Sequence, residues 1–561
     1  MEYSDLKFLS IQPTSIVALL LALVSILLSV VCLKKKYSNS STAAAAVSHQ
    51  RSCRLPIIGL LHVFMNTTDL SHVTLGNMAD KHGPIFSFPT GSHRTLVVSS
   101  WELVKECFTG SNDKAFSNRP IPLAFKLMFY TGGIDSCGLA LVPYGNQWRE
   151  LRKICVHNLL SNQQLLKFRH LIISEVDTSF NKLYELCNNN KISDNEGDST
   201  TNVVGMVRMD DWLAKLSFNV LGRIVCGFQS HTETSAASSV ERFTAAMDQA
   251  SRFMSISAVS DTVPWLGWID NLTGLKRKMM HCGKKLDLVV ESIIEDHRQK
   301  RQLYRTKEGD HEQTTEDEQD DFIDICLSIM EQQQLPGINN PPQLPIKSIV
   351  LDMIGGGTDT TKLTTIWTLS LLLNNPRALD KAKEEVDAHF GLMKSRPANH
   401  AVMVDFDDIR NLVYIQAIVK ESMRLYPASP LGERLSSEDC VVGGVYVPAG
   451  TRLWVNVWKM QRDPRVWDDP LVFRPERFLS NDQKMVDVRG QHYELIPFGT
   501  GRRICPGLSF SLDLMHLVLT RLILEFELKS PGGGEVDMTA TPGLMSYKVV
   551  PLDILLARRM L

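Results

Sequence analysis

The chain of 561 residues lacks several features that would narrow its chemistry at once. Its eleven cysteines are odd in number and scattered, with no Cys-x-x-Cys pair. The sequence therefore offers neither a disulfide framework nor a multi-thiolate zinc site, and it reads as the product of a reducing compartment. Formal net charge is only −2, and no basic stripe with interleaved aromatics occurs, which argues against a nucleic-acid partner. No glycine-rich dinucleotide fingerprint and no flavin domain is evident, so the chain itself offers no recognisable nicotinamide or flavin site. No repeat and no long flexible linker divides the interior, so one large, mainly helical domain is expected.

Long apolar runs are also scarce, with one exception. Ile11 to Leu33 carries no charge and is rich in Leu, Val and Ile. A helix needs about 20 such residues to cross a bilayer. Lys34, Lys35 and Lys36 follow it, whereas Glu2, Asp5 and Lys7 precede it, so the positive-inside rule leaves the body of the chain in the cytosol. A cleaved secretory signal would want a basic start and a shorter apolar core. The expected organisation is a short lumenal terminus over 1–10, a membrane anchor over 11–33, a basic and Ser/Ala-rich linker over 34–55, and a catalytic domain over 56–561.

One lone cysteine sits in a setting built for a metal. Phe498 to Gly507 reads Phe-Gly-Thr-Gly-Arg-Arg-Ile-Cys-Pro-Gly. Gly499 and Gly501 permit a sharp bend that can aim amide N–H groups at one sulfur. Hydrogen bonds and a cation such as Arg503 favour the thiolate, the form that binds metal. Pro506 and Gly507 can open a helix over Leu508 to Phe526, which puts Cys505 near a positive dipole end. With no second Cys or His nearby, a single axial sulfur suits haem. The competing reading is a buried, inert cysteine in an ordinary turn.

Three further segments stand upstream. Ile346 to Asn374 has the pattern of one long helix, yet Gly355, Gly356 and Gly357 stand inside it at a propensity cost of roughly 2.5–3 kcal/mol. Something must approach that backbone closely, and the Thr358-Asp359-Thr360-Thr361 that follows supplies a carboxylate beside hydroxyls, groups able to move protons. Glu421 and Arg424 share one face of an amphipathic helical run beginning near Leu412, an arrangement that on a surface contributes only about 0.2–0.5 kcal/mol. Trp148 and Arg152 lie one turn apart and can present an indole N–H and a guanidinium to one acceptor.

In order along the chain, these segments resemble the motifs of cytochromes P450. Phe498, Gly501, Arg503, Cys505 and Gly507 occupy the fixed positions of the Phe-x-x-Gly-x-Arg-x-Cys-x-Gly loop. Gly356 to Thr361 resembles the oxygen-activation motif, Glu421-Ser422-Met423-Arg424 the Glu-x-x-Arg pair, and Phe473-Arg474-Pro475-Glu476-Arg477-Phe478 the element that follows it. Trp148 to Arg152 resembles the Trp-x-x-x-Arg element. The similarity covers nearly all of the chain after residue 56 and is nearest to plant microsomal enzymes of specialised metabolism, including nicotine demethylases, flavone hydroxylases and alkaloid or terpenoid hydroxylases.

That resemblance implies a P450 fold, large and helical with small β-sheets, behind the membrane helix. It implies haem b ligated by Cys505, with Trp148, Arg152, Arg434 and Arg503 facing its propionates and Phe498 and Gly501 shaping the loop. Thr360 would position dioxygen, Asp359 would relay protons, and Glu421, Arg424 and Arg477 would form a buried network near the haem. The implied activity is monooxygenation of a hydrophobic plant metabolite (terpenoid, alkaloid or flavonoid) at the cytoplasmic face of the endoplasmic reticulum. NADPH would act through a separate P450 reductase. Substrate contacts are expected from Phe125 to Leu139, Phe253 to Val259, Asp352 and Gly356, Ala428 to Gly432, and Leu544-Met545. Two alternatives share the cysteine: a hydroperoxide-rearranging enzyme of the same fold, which usually lacks the Asp359-Thr360 pair, and a noncatalytic haem-binding membrane protein. Two departures stand out. The proline-rich hinge is reduced to Pro56 before Ile57-Ile58-Gly59, and Glu433 precedes Arg434 where relatives commonly carry proline.

Overall fold

The computed structural model describes residues 70–129, 138–189, 204–228, 235–254, 256–307, 320–331, 346–391, 404–479 and 486–559. The expected membrane segment over 11–33, the linker and the hinge lie outside the described residues. Among the described residues no helix is long and apolar enough to cross a membrane.

The central helix runs over Ile346–Asn374, the bounds its apolar pattern predicts, glycines included. Two of those glycines are required by neighbouring helices. A Cβ on Gly355 would stand 2.9 Å from Met247 Cε, and one on Gly357 would stand 2.7 Å from Leu221 Cδ1. Met247 belongs to the helix Ser235–Met254 and Leu221 to the helix Met209–Cys226, so close packing offsets the helix-propensity cost. Around Gly356 a Cβ would meet nothing within 4 Å, and this side of the helix borders the functional site. Downstream, the hydroxyls of Thr360, Thr364, Thr365 and Thr368 each donate to the carbonyl four residues earlier. Polar side chains are thereby satisfied inside a helix that is mostly buried.

The sheets are small and lie beside the helical body. One has the order β1 (Ile85–Thr90), β2 (His93–Val98), β7 (Arg452–Asn456), β4 (Leu431–Leu435), with β2 and β7 parallel and the other pairs antiparallel. A second joins β3 (Val204–Arg208), β9 (Asp553–Arg558) and β8 (Phe526–Lys529). Cys440–Val442 and Val445–Val447 (β5 and β6) form a hairpin around Gly443-Gly444, whose φ values of 56° and 75° suit a tight turn that twists with its strands.

A buried clasp joins the helix Leu275–Lys307 to the helix Phe322–Glu331. His297 Nδ1 bonds the Ile293 carbonyl at 2.7 Å, and Nε2 bonds Asp321 Oδ2 at 2.7 Å. Asp324 completes a cluster of metal-ligand type, but both imidazole nitrogens are already engaged, so the group is a structural fastening. Burial opposes the imidazolium, yet the hydrogen bond and charge of Asp321 outweigh it and raise the His297 pKa. Burial, and then the charge of Asp321, push Asp324 up to about 6. Both shifts have the same sign: this stabilisation is complete at acid pH, and it fades as the pH rises through 6 and then through the raised histidine value. The melting temperature of the wild type should therefore fall between pH 5.5 and 8 by more than that of His297→Gln, as followed by calorimetry across that range; parallel profiles would refute the clasp.

Candidate functional site

The cysteine loop folds as its glycines require. Gly499 and Gly501 have φ of 72° and 69°. A Cβ on Gly501 would come 2.4 Å from Asp113 Oδ1, so glycine is needed there twice over. The Cys505 N–H donates to the Phe498 carbonyl at 3.0 Å and the Ile504 N–H to Gly501 at 3.1 Å, which closes the loop on itself. The helix Leu508–Glu525 begins three residues after the cysteine. Burial raises the Cys505 thiol pKa, while the Gly507 N–H, Arg119 and Arg152 pull the other way. A metal ion at the sulfur would reverse the balance, because a coordinated thiol gives up its proton.

Beside the loop stands the helix Asn146–Cys155. Trp148 is 5 % exposed and its Nε1 is buried without a hydrogen-bond partner. Such an orphan N–H costs about 1–3 kcal/mol unless an acceptor meets it. The Arg152 and Arg503 guanidinium carbons lie 5.5 Å and 4.9 Å from the Trp148 ring centroid. Arg152 Nη1 donates to the Ile504 carbonyl at 2.9 Å, linking this helix to the cysteine loop. Across the site, Arg434 in β4 is buried over the Phe108 ring and donates to the Glu433 carbonyl at 2.9 Å. Burial first, and then Arg119 and Arg503, hold its pKa well below the ordinary guanidinium value, with Asp113 and Glu433 opposing only in part.

The structure divides these cations more sharply than the motifs imply. Arg503 directs Nε to the Ser117 carbonyl at 2.6 Å and its terminal nitrogens to the carbonyls of Leu139 and Val142, fastening the 117–142 segment to the cysteine loop. Arg119, which the sequence reading passed over, joins the group: its charge reaches both Arg434 and Cys505, and its Nη1 donates to Ala140 O at 3.0 Å. The available signal was the Asn118-Arg119-Pro120 step, where proline stiffens the chain after a cation. Glu433, which stands where relatives commonly carry proline, has its own partner: its carboxylate accepts the Trp454 Nε1–H at 3.1 Å and is pushed up in pKa by burial.

Behind the loop lies the network expected at Glu421, Arg424 and Arg477. All three are buried, at 0 %, 0 % and 3 % exposure. Arg424 forks onto Glu421 at 2.7 and 2.9 Å, and Arg477 Nε and the Arg474 N–H each reach Glu421 Oε1 at 3.0 Å. Arg424 Nη1 also donates to the carbonyls of Gln461 and Pro470. Gln461, missed from sequence, then connects the network to the site: its Nε2 donates to the Met423 and Arg424 carbonyls, and its Oε1 accepts the Ile496 N–H at 3.0 Å, two residues before Phe498.

On the central helix, Thr360 Oγ1 donates to the Gly356 carbonyl at 2.6 Å. Asp359 is held by Ser251 Oγ and Lys362 Nζ, each at 2.9 Å, and it raises the pKa of the Tyr547 phenol in addition to the effect of burial. Thr358 Oγ1 is buried without a partner.

A group that fits here accepts one sulfur and carries anionic acceptors for the orphan Trp148 N–H and the disfavoured cation Arg434. Haem satisfies both. The family profile "Cytochrome P450" matches residues 50–553. The chain belongs to the cytochrome P450 family. A bifunctional protein named STORR from Papaver somniferum is 76 % identical over 572 residues, covering 99 % of this chain but 63 % of its own length. The (S)-N-methylcanadine 1-hydroxylase of the same plant is 61 % identical, covering 98 % of this chain and 97 % of its own. A zebra fish cytochrome P450 structure with progesterone superposes with a TM-score of 0.66 at 22 % identity, covering 87 % of this chain and 99 % of that one, which establishes the fold. The cofactor of this P450 is haem, and its reaction class is that of a monooxygenase.

Removing the carboxylate of Glu421 strands two buried guanidinium groups at a cost of about 3–5 kcal/mol. Glu421→Ala should therefore yield protein without stable haem, and normal haem absorbance after gel filtration would refute the network's role. Trp148→Phe keeps the ring but deletes the N–H, and should speed haem loss to a scavenging globin about tenfold.

Proposed function

We propose that this P450 oxidises a plant alkaloid, using dioxygen and electrons delivered from NADPH by a separate P450 reductase, while anchored by residues 11–33 to the endoplasmic reticulum with its catalytic body in the cytosol. The alkaloid assignment draws on the 61 % identity to the (S)-N-methylcanadine 1-hydroxylase, and the anchoring on the uncharged apolar run followed by three lysines. The single observation that carries the reading is the cysteine loop set against the Trp148 N–H and Arg434.

When bound, haem supplies the activation of dioxygen, with the Cys505 thiolate donating electron density to iron. The chain's own part is positioning and proton control. Trp148 and Arg434 would hold the haem edge, and Arg152 ties that helix to the loop carrying the sulfur. Thr360 holds a hydroxyl proton at the Gly356 carbonyl, where a local shift of the helix can redirect it toward the site. Asp359, kept in place by Ser251 and Lys362, is the nearest fixed carboxylate able to return that proton.

Microsomes holding this chain and a reductase should convert a member of an alkaloid panel into a product heavier by one oxygen, in an NADPH-dependent reaction. Thr360→Ala should lower product formation about 10²-fold while NADPH consumption persists and peroxide accumulates. Unchanged coupling would remove Thr360 from the mechanism. Rearrangement of a hydroperoxide without oxygen or reductase would favour the rearranging alternative, and a reduced, carbon-monoxide-treated protein without the red-shifted band of thiolate-ligated haem would overturn the whole reading.

A further inference from the structure

Residues 258–273 bridge the helix Ser235–Met254 and the helix Leu275–Lys307 by turns and very short helices. Of the apolar side chains in this bridge only Ala258 and Val263 are buried, while Trp265, Trp268 and Leu272 are exposed. Hydrogen bonds hold what burial does not, and a segment of that kind opens at lower cost than the core. The bridge is stapled internally: the buried Asp270 carboxylate accepts the Val259 and Ser260 N–H groups at 2.9 Å each. Three bonds tie it to other elements. Asp261 Oδ1 accepts the Leu123 N–H at 2.8 Å, the Asp261 carbonyl accepts Arg452 Nη2 at 2.7 Å, and the Thr262 carbonyl accepts the Ser92 N–H at 2.9 Å. A Cβ on Gly91, whose φ is 59°, would stand 2.1 Å from that Thr262 oxygen, so the β1–β2 turn meets the bridge only because it carries glycine. At the other end Gly274, with φ of 71° and nothing within 4 Å of a Cβ, joins the bridge to the helix Leu275–Lys307.

The bond to Leu123 reaches furthest. Leu123 opens the helix Leu123–Met128, and Pro122 before it offers no side-chain cap. First-turn amides have no partner inside their own helix, so Asp261 supplies the missing acceptor from 138 residues away. That helix belongs to the 117–142 segment that Arg503 fastens to the cysteine loop. One carboxylate therefore links an outer bridge to a segment bordering the haem site.

We propose that residues 258–273 form a strap that swings as one body to let bulky ligands reach and leave the haem, with Asp261 as a latch that couples each opening to release of the helix Leu123–Met128. The inference rests on haem at Cys505 and is independent of the alkaloid assignment. Asp270 keeps the strap rigid, and Gly274 absorbs the rotation. Losing the latch raises the population of the open strap, which speeds entry and exit alike and leaves affinity nearly unchanged.

Holoenzyme of the wild type, Asp261→Ala and Asp261→Asn is mixed in stopped flow with clotrimazole, a bulky azole, and with imidazole, and the haem absorption band records ligation of the iron. In Asp261→Ala the association and dissociation rates of clotrimazole should both rise about tenfold, while the dissociation constant changes by less than about threefold. Imidazole, small enough to pass a closed strap, should keep its rates. Asp261→Asn retains a carbonyl oxygen for the Leu123 N–H and should match the wild type. Hydrogen exchange followed by mass spectrometry reads the coupling: amides of 123–126 and of 259–263 should both exchange faster in Asp261→Ala. Unchanged clotrimazole rates, or equal acceleration of imidazole, would overturn the strap, and faster exchange at 259–263 alone would overturn the latch. Gly91→Ala breaks the Thr262 attachment with Asp261 intact, and should reproduce the acceleration if Asp261→Ala fails to fold. If neither variant holds haem, the wild type decides: both sets of amides must slow together when clotrimazole binds, and independent responses overturn the inference.

Discussion

A single buried carboxylate organises the cysteine side of this molecule. Glu421 is fully enclosed, and it accepts from Arg424, Arg477 and the backbone of Arg474. Burying three charged groups is costly, and the cost is met only when every hydrogen bond is in place. The arrangement is therefore all-or-none. Both guanidinium groups lie against the Trp467 ring, at 5.3 and 5.8 Å, and spend their remaining donors on carbonyls of the 461–472 segment. Gln461 passes the constraint on to Ile496 and so to the approach of the cysteine loop. A pair that would be trivial on a surface thus sets where a sulfur sits more than eighty residues later.

Charge is distributed unevenly in the site, and that pattern accounts for its chemistry. Around Cys505 the chain gathers Arg119, Arg152, Arg434 and Arg503, whose mutual repulsion and burial disfavour Arg434 unless an anion is present. One of them, Arg503, is spent on main-chain carbonyls and fixes a loop. The others remain near the edge where Trp148 offers its N–H. On the central helix the two carboxylates are each held by neighbours: Asp352 by the Ala140 N–H, and Asp359 by Ser251 and Lys362.

Local pattern carried far in this chain. The central helix has its predicted ends because apolar periodicity continues through the glycines, and Gly499 and Gly501 have the positive φ values that a sharp loop demands. The Gly443-Gly444 hairpin forms for the same reason. What escaped was long-range. Gln461 and Arg119 carry no motif spacing that marks them, because their partners lie across the fold: Gln461 reaches Ile496, and Arg119 reaches Ala140 and the field of Cys505. The three glycines were read as a sign of close approach, but sequence could not say that Met247 and Leu221 press on two of them and leave the middle one toward the site.

The amino-acid sequence by itself determined the family, the glycine-bent loop around Cys505, the glycine-bearing helix and the Glu421–Arg424 pairing, since each depends on residues within one turn or one loop. Only the tertiary structure decided how the cations divide their labour, which N–H is left waiting for an acceptor, and where the Asp352 carboxylate is held. Those outcomes depend on segments more than a hundred residues apart meeting in one packed interior, where burial sets the strength of every charge and hydrogen bond.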